Sequence, residues 1–444
     1  MNNIDLSKKG MFLKFSSGVF LNILLKIKSL IFLPILVNVF SKSEFGIFSL
    51  FFTVASVLIP AFTVNLPDSA NRVVLNLHKK NDHLSIAQLI SSIINFIFIW
   101  SVFLSLVAFL TYYFILKNPI ENFFPTLLTI VLTLIFFKLA IFTYQIFLQT
   151  KKILLSQIFV EYGSLFIMIF LIYFLSIDSP QIIAMSGVPL SIFTSLYLIY
   201  KLNKEYSLQA IIDKKLIKQV FDISFYLLPS AYILVIIKAM DSLMVKYYLL
   251  PEQLGEYSFA LSLSMAIPIA FSAGINFFWL SSSVYSDHKH LIETLRKATQ
   301  LTCIAMLAVL GFYFFATPKL INLINPDYSN TFNVIQILIV GFFLSANINF
   351  FSGTLIAIKK EKYIFYTNII FLAINFLLNL YLIPIYGLGG AALSTSLTYI
   401  GIYISQYFIV KKTLDGFSSF RTDIFLYTSI IIGFIFIFSH FSIN

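Results

Sequence analysis

Thirteen apolar runs of membrane-spanning length constrain this chain more than any other feature of its sequence. They fall at roughly 12–40, 45–66, 85–116, 124–148, 153–176, 181–200, 220–249, 256–281, 298–317, 331–358, 363–383, 387–410 and 422–441. A helix that crosses a bilayer needs about 20 consecutive apolar residues. Hydrocarbon offers no partner to backbone N–H and C=O groups, so a spanning segment must satisfy them internally, and runs of this length predict helices. Only 11% of the residues are charged, against about 25% in a soluble domain. The expected fold class is therefore an all-α integral membrane protein. Lysines precede SLIFLPILVNVF (29–40) as in a signal peptide, but the following SKSEFG offers no small-residue cleavage site, so a retained first span is expected.

The net charge of +11 has two explanations, a polyanionic partner or an orientation signal. With the N-terminus placed inside, 21 of the 30 Lys and Arg residues lie in inner segments and only Lys42, Lys117 and Lys319 in outer loops. A bias of that size fixes orientation by the positive-inside rule and matches an anionic inner leaflet. A cytoplasmic N-terminus is expected, and no nucleic acid.

The halves of the chain resemble each other. At an offset of 209, SKSEFGIFSLFFTVASVLIPAF (41–62) lies over LPEQLGEYSFALSLSMAIPIAF (250–271), pairing Gly46 with Gly255 and Ser49 with Ser258. At 208, Lys151-Lys152 lies over Lys359-Lys360. Each repeat holds six runs, an even number, so both halves enter from the same side and predict two parallel six-helix lobes. The expected organisation is an N-terminal lobe at 1–200, a cytoplasmic amphipathic linker at 201–219, a C-terminal lobe at 220–410, and a tail at 411–444 carrying the extra run. Two lobes around a cleft suit alternating access. Outer loops of at most about a dozen residues leave no room for an enzymatic domain.

Charges inside the runs are the candidate functional residues. Each costs about 2.5–3.5 kcal/mol at mid-bilayer, so each is expected to face protein or a wet cavity. Lys26 lies about 18 Å beyond Lys14 at 1.5 Å per residue, near mid-depth, with Lys28 nearly opposite on the helix. Lys238 sits at almost the same point of the seventh run as Lys28 does of the first, and Asp241 follows three residues later, where the two can neutralise each other. Lys138 and Glu161 lie about 15 and 12 Å from the inner ends of consecutive antiparallel runs, so they can pair. Lysines outnumber acids four to two, which suits an anionic substrate.

Other chemistries leave no trace. No Gly-Lys dipeptide occurs, so there is no phosphate loop of the GxxxxGK type, and no HExxH is present. The one cysteine, Cys303, cannot form an intrachain disulfide, and His288 and His290 are a weak metal signal in an inner loop. No cofactor, metal or catalytic dyad is expected.

At NFLLNLYLIPIYGLGGAALSTSLTY (375–399) the chain resembles the polysaccharide-unit flippases of the multidrug/oligosaccharidyl-lipid/polysaccharide exporter superfamily. SKSEFGIFSLF (41–51), MDSLMVKYYLLPEQLGEYSFA (240–260) and GTLIAIKKEKY (353–363) add to the resemblance, which covers about 10–410. It implies two six-helix bundles in a V, in the cytoplasmic membrane of a bacterium. It also implies movement of oligosaccharides on undecaprenyl pyrophosphate between leaflets, with cations attending the pyrophosphate. By position, Arg72 matches an arginine common after the second span and Asp241 an acid common in the seventh. The chain departs at TVNLPDSANR (63–72), where the family has a Gly-rich helix end, and in its thirteenth run.

The resulting expectation is a flippase whose lipid-linked cargo meets Lys26, Lys28, Lys138, Lys238 and Arg72, with Glu161 and Asp241 as coupling or pairing groups. Other polysaccharide-assembly membrane proteins are candidate partners. The nearest rival is a cation-coupled multidrug or small-solute exporter of the same superfamily. The major facilitator fold lacks its Gly-x-x-x-Asp-Arg loop here, and a membrane polymerase or ligase would need a large outer loop.

Overall fold

The computed structural model describes residues 28, 31–64, 66–79, 82–115, 123–146, 150–206, 212–283, 288–358 and 360–414, with 431–433, 435, 437 and 439. Every regular element among them is helical. Residues 31–39 form a helix that leads to α1 (Lys42–Thr63), and α2 (Leu66–Lys79), α3 (His83–Ile115), α4 (Phe123–Ile146) and α5 (Thr150–Tyr173) follow. The short α6 (Pro180–Ala184) precedes α7 (Val188–Tyr206), α8 (Lys214–Tyr248), α9 (Pro251–Ser283) and α10 (His288–Ile324). A 3-10 turn (Pro326–Thr331) joins α10 to α11 (Phe332–Ala357), and α12 (Glu361–Thr413) completes the series. Among the described residues seven segments are long and apolar enough to cross a membrane. The multi-spanning all-α expectation therefore holds.

Local chemistry explains where helices begin. Free N–H groups at a helix start need acceptors, and short polar side chains supply them. Ser41-Lys42-Ser43-Glu44 opens α1 as a reciprocal capping box: Ser41 N–H donates to Glu44 Oε2 at 2.9 Å and Glu44 N–H to Ser41 Oγ at 3.4 Å. Asp82 caps α3 by accepting from Ser85 N–H at 3.0 Å, and Asp213 caps α8 by accepting from Lys215 and Leu216 N–H at 2.8 and 3.0 Å.

The 53 residues of α12 would reach about 80 Å as one straight helix, far beyond a hydrocarbon core of about 30 Å. The chain turns back at Gly387, whose φ of 54° and ψ of −131° suit glycine alone. A Cβ on Gly401 would overlap the ring of Phe371, and a Cβ on Gly390 would overlap the Leu382 carbonyl. The arms 361–386 and 388–413 thus form a tight helical hairpin, with Pro384-Ile385-Tyr386-Gly387 at its bend.

The chain packs as two compact units, Phe48–Val235 and the remainder, Met1–Ile47 with Ile236–Asn444. In the unit Phe48–Val235, α4 is the hub: α2, α3, α5, α6 and α7 all contact it. In the other unit α11 is the hub, lying against α9, α10 and α12, whose second arm brings Ser396 beside Gly341. Its span window is 88% buried, whereas that of α3 is 17% buried. Close approach rests on small residues, since a Cβ on Gly341 would come within 2.7 Å of Ser396 Cα.

Three expectations meet the structure differently. The stretch 63–72 was expected to end a span; it holds a break at Val64, with a φ of 48°, and then opens the separate helix α2. That helix buries Leu66, Pro67, Ala70, Val73 and Val74 on one side, a helical spacing hidden inside a polar-looking sequence. Of the linker 201–219, residues 201–206 continue α7 and residues 214–219 open α8, while 207–211 lie outside the described residues. Most of the thirteenth run also lies outside them.

Gly387→Ala and Gly390→Ala are each expected to destabilise the protein by about 1–3 kcal/mol, the first through backbone strain and the second through overpacking. Gly311→Ala, with open space around its Cβ position, is the neutral control. Thermal unfolding of the purified proteins in detergent checks the order.

Candidate functional site

A carboxylate removed from water must find donors inside the protein. Asp241, on α8, is 0% exposed. The α12 hairpin brings Asn375 and Asn379 from its first arm and Ser394 and Thr395 from its second to this carboxylate. Asn375 and Asn379 are four residues apart and so share a helix face. Asn379 Nδ2 donates to Asp241 Oδ1 at 2.6 Å and to Asn375 Oδ1 at 3.2 Å. Asn375 Nδ2 reaches Asp241 Oδ1 at 3.5 Å and Ser394 Oγ at 3.2 Å. The Thr395 hydroxyl donates to Asp241 Oδ2 and also lies 2.9 Å from the Ala391 carbonyl. A hydroxyl carries one hydrogen, so the carboxylate and that carbonyl compete for it.

The centre is rich in oxygen. The Oδ1 of Asn379 and the buried hydroxyl of Tyr399 have no hydrogen-bond partner among the described residues, and the buried Tyr257 hydroxyl lies beside Thr395. Both tyrosines lie within electrostatic reach of Asp241. A carboxyl group with amide and hydroxyl oxygens around it is a set of hard donors, chemically suited to a proton or a hard monovalent cation rather than to a transition metal.

Lys238 shares a helix with Asp241 but ends elsewhere. Its side chain is exposed, while the carboxylate is held by the amides and the Thr395 hydroxyl. The donors that the carboxylate accepts from come from the hairpin. Those donors were not singled out in the sequence. Their signal was present: two asparagines at helical spacing in NFLLNL, then the hydroxyl run STSLT, both inside apolar spans.

A second site lies in the unit Phe48–Val235. A cavity of about 340 Å³ opens between α1, α2, α4 and α5. Ile59, Pro67, Leu134, Phe137, Ile141 and Phe142 form its apolar wall, and Lys138 and Gln157 are its polar lining. Lys138 is half-buried on the hub helix, and Glu161, also half-buried, stands on the neighbouring α5 one helical turn beyond Gln157. A cation in a largely apolar hollow suits an anionic group attached to hydrocarbon.

Lys28 lies with its ammonium 4.9 Å from the centroid of the Phe32 ring. Arg72, matched by position to an arginine common after the second span, lies on α2. Lys26 lies outside the described residues.

Comparison with known proteins adds the wider context. A family model described as polysaccharide biosynthesis protein matches residues 13–279, a stretch that includes Lys138 and Asp241. An uncharacterized membrane protein of Methanocaldococcus jannaschii is 25% identical over 286 residues, 60% of this chain, and the match spans 54% of that relative's length. The structure is similar to the inward-facing conformation of a multidrug resistance MATE family transporter of the MOP superfamily, with a TM-score of 0.71 and 12% identity, covering 91% of this chain and 96% of that one. It is also similar to the inward closed conformation of the lipid II flippase MurJ, with a TM-score of 0.70 and 18% identity, covering 97% and 94%. At these identities the likeness establishes the fold alone.

Thr395→Val keeps the side-chain shape but removes the hydroxyl donor from a buried charge, and is expected to cost about 1–3 kcal/mol. Lys238→Gln, at an exposed position, should stay within about 0.5 kcal/mol of the parent. Equal losses in thermal unfolding would show that the carboxylate depends on Lys238 after all.

Proposed function

The chain belongs to the polysaccharide biosynthesis protein family, and on that premise we propose that it is a flippase for lipid-linked oligosaccharide repeat units. The cargo rides on undecaprenyl pyrophosphate and passes from the inner to the outer leaflet of the cytoplasmic membrane for surface polysaccharide assembly. The observation that carries this reading is the apolar cavity around Lys138 and Gln157. A free sugar would want many hydroxyl partners, and a cationic drug would want a carboxylate. A phosphate on a prenyl chain wants one cation, one amide donor and a hydrocarbon wall.

In this reading two six-helix lobes, 1–200 and 220–410, expose the site alternately to each side. Lys138 meets the head group while the prenyl tail stays in lipid, and Lys26, Lys28, Lys238 and Arg72 supply further positive charge along the way. The Asp241 centre serves as the coupling site. A proton or a hard monovalent cation entering there would let Thr395 turn its hydroxyl to the Ala391 carbonyl and would loosen the hairpin from α8. Glu161 adds a second acid near Lys138.

Depletion of the protein is expected to accumulate one undecaprenyl-linked oligosaccharide on the inner leaflet, read by analysis of membrane lipids. Lys138→Glu, at unchanged protein level, is expected to lower transport about tenfold, the equivalent of ~1.4 kcal/mol. Normal glycolipids with raised sensitivity to cationic drugs would instead assign the chain to drug export.

A further inference from the structure

One set of contacts in the unit Met1–Ile47 with Ile236–Asn444 takes no part in either site. Three segments meet there: 38–46, which runs into the first turn of α1, 250–256 at the start of α9, and 325–328 after α10. The distribution of lysines and arginines assigns all three to the outer face. Asn38 Nδ2 donates to the Ile324 carbonyl at 2.9 Å, and Asn325 Nδ2 donates back to the Val37 carbonyl at 2.8 Å. Lys42 Nζ pairs with Glu256 Oε1 at 2.6 Å and lies 5.5 Å from the centroid of the Tyr328 ring. Tyr328 in turn packs on Phe259 at 4.5 Å between centroids. At the middle of the contact the two glycines matched by the sequence repeat touch. A Cβ on Gly46 would come within 2.9 Å of Gly255 N, and one on Gly255 would overlap the Lys42 carbonyl.

We propose that these contacts are a releasable outer latch, which holds 38–46 on the α9 and α10 ends in the present state and lets go when the transport site turns outward. The proposal rests on the alternating-access reading above. Its chemistry fits release. The ion pair is part-buried, with side-chain exposures of 26% and 13%, so water can replace each partner. The two asparagine bonds go to backbone carbonyls that water can also satisfy. The glycine contact brings backbones together without interlocking side chains, so the surfaces can part without unthreading. The Asp241 centre, sealed from water, has none of these properties.

The test is a distance measurement on the full chain in lipid nanodiscs, with spin labels at Ser43→Cys and Glu252→Cys in a Cys303→Ala background. Two distance populations are expected, the shorter one dominant. Lys42→Gln should raise the longer population about fivefold, equivalent to ~1 kcal/mol. The exchange of charges in Lys42→Glu with Glu256→Lys should restore the original distribution. Gly255→Ala, which cannot accommodate the closed contact, should favour the longer distance more strongly. A single short distance, unchanged in Lys42→Gln and in Gly255→Ala, would overturn the latch. This measurement uses no cargo. Its failure is thus distinct from that of the flippase reading, which rests on the lipids that accumulate on depletion.

Discussion

An acid buried where water is absent sets terms for everything around it. Asp241 can remain at the heart of an apolar bundle only if several donors converge on two oxygen atoms. No single helix offers them at the right angles. The α12 hairpin does, because folding back at Gly387 lays Asn375 and Asn379 beside Ser394 and Thr395. The position of the hairpin along α8 is therefore fixed by chemistry as well as by packing: a slide of one residue would strand the carboxylate. Small residues permit the approach, with Gly390 at the bend and Gly341 of α11 against Ser396.

The two units solve different problems with the same device, a central helix. In one, α11 is buried along most of its length. In the other, α4 is the hub yet leaves a hollow beside Lys138. One unit thus holds a buried acid and the other a hollow beside a lysine.

Much of this was legible in the sequence. Spanning runs gave the helices, because hydrocarbon permits little else, and the Pro-x-Tyr-Gly motif fell at the hairpin bend. Asp241 stood out as a charge among apolar residues. Its partners did not, because an asparagine in an apolar span declares a need for hydrogen bonds without naming who meets it. The same limit applies to Lys238: periodicity placed it near Asp241 along the helix, but which side faces protein depends on the neighbouring helices. The helix α2 was missed because its buried face is made of small and branched residues scattered among polar ones, below the level at which a span is recognised.

The bend at Gly387 also bears on biogenesis. Loop closure between the arms involves almost no intervening chain, so its entropic cost is low. The arms, each about 26 residues, can pair as soon as the second leaves the insertion machinery. Asn375 and Ser394 would then meet within the nascent pair, shielding amide and hydroxyl groups that a lone arm would expose to lipid. Because α12 follows α8 in synthesis, Asp241 must wait in the bilayer for donors made more than a hundred residues later.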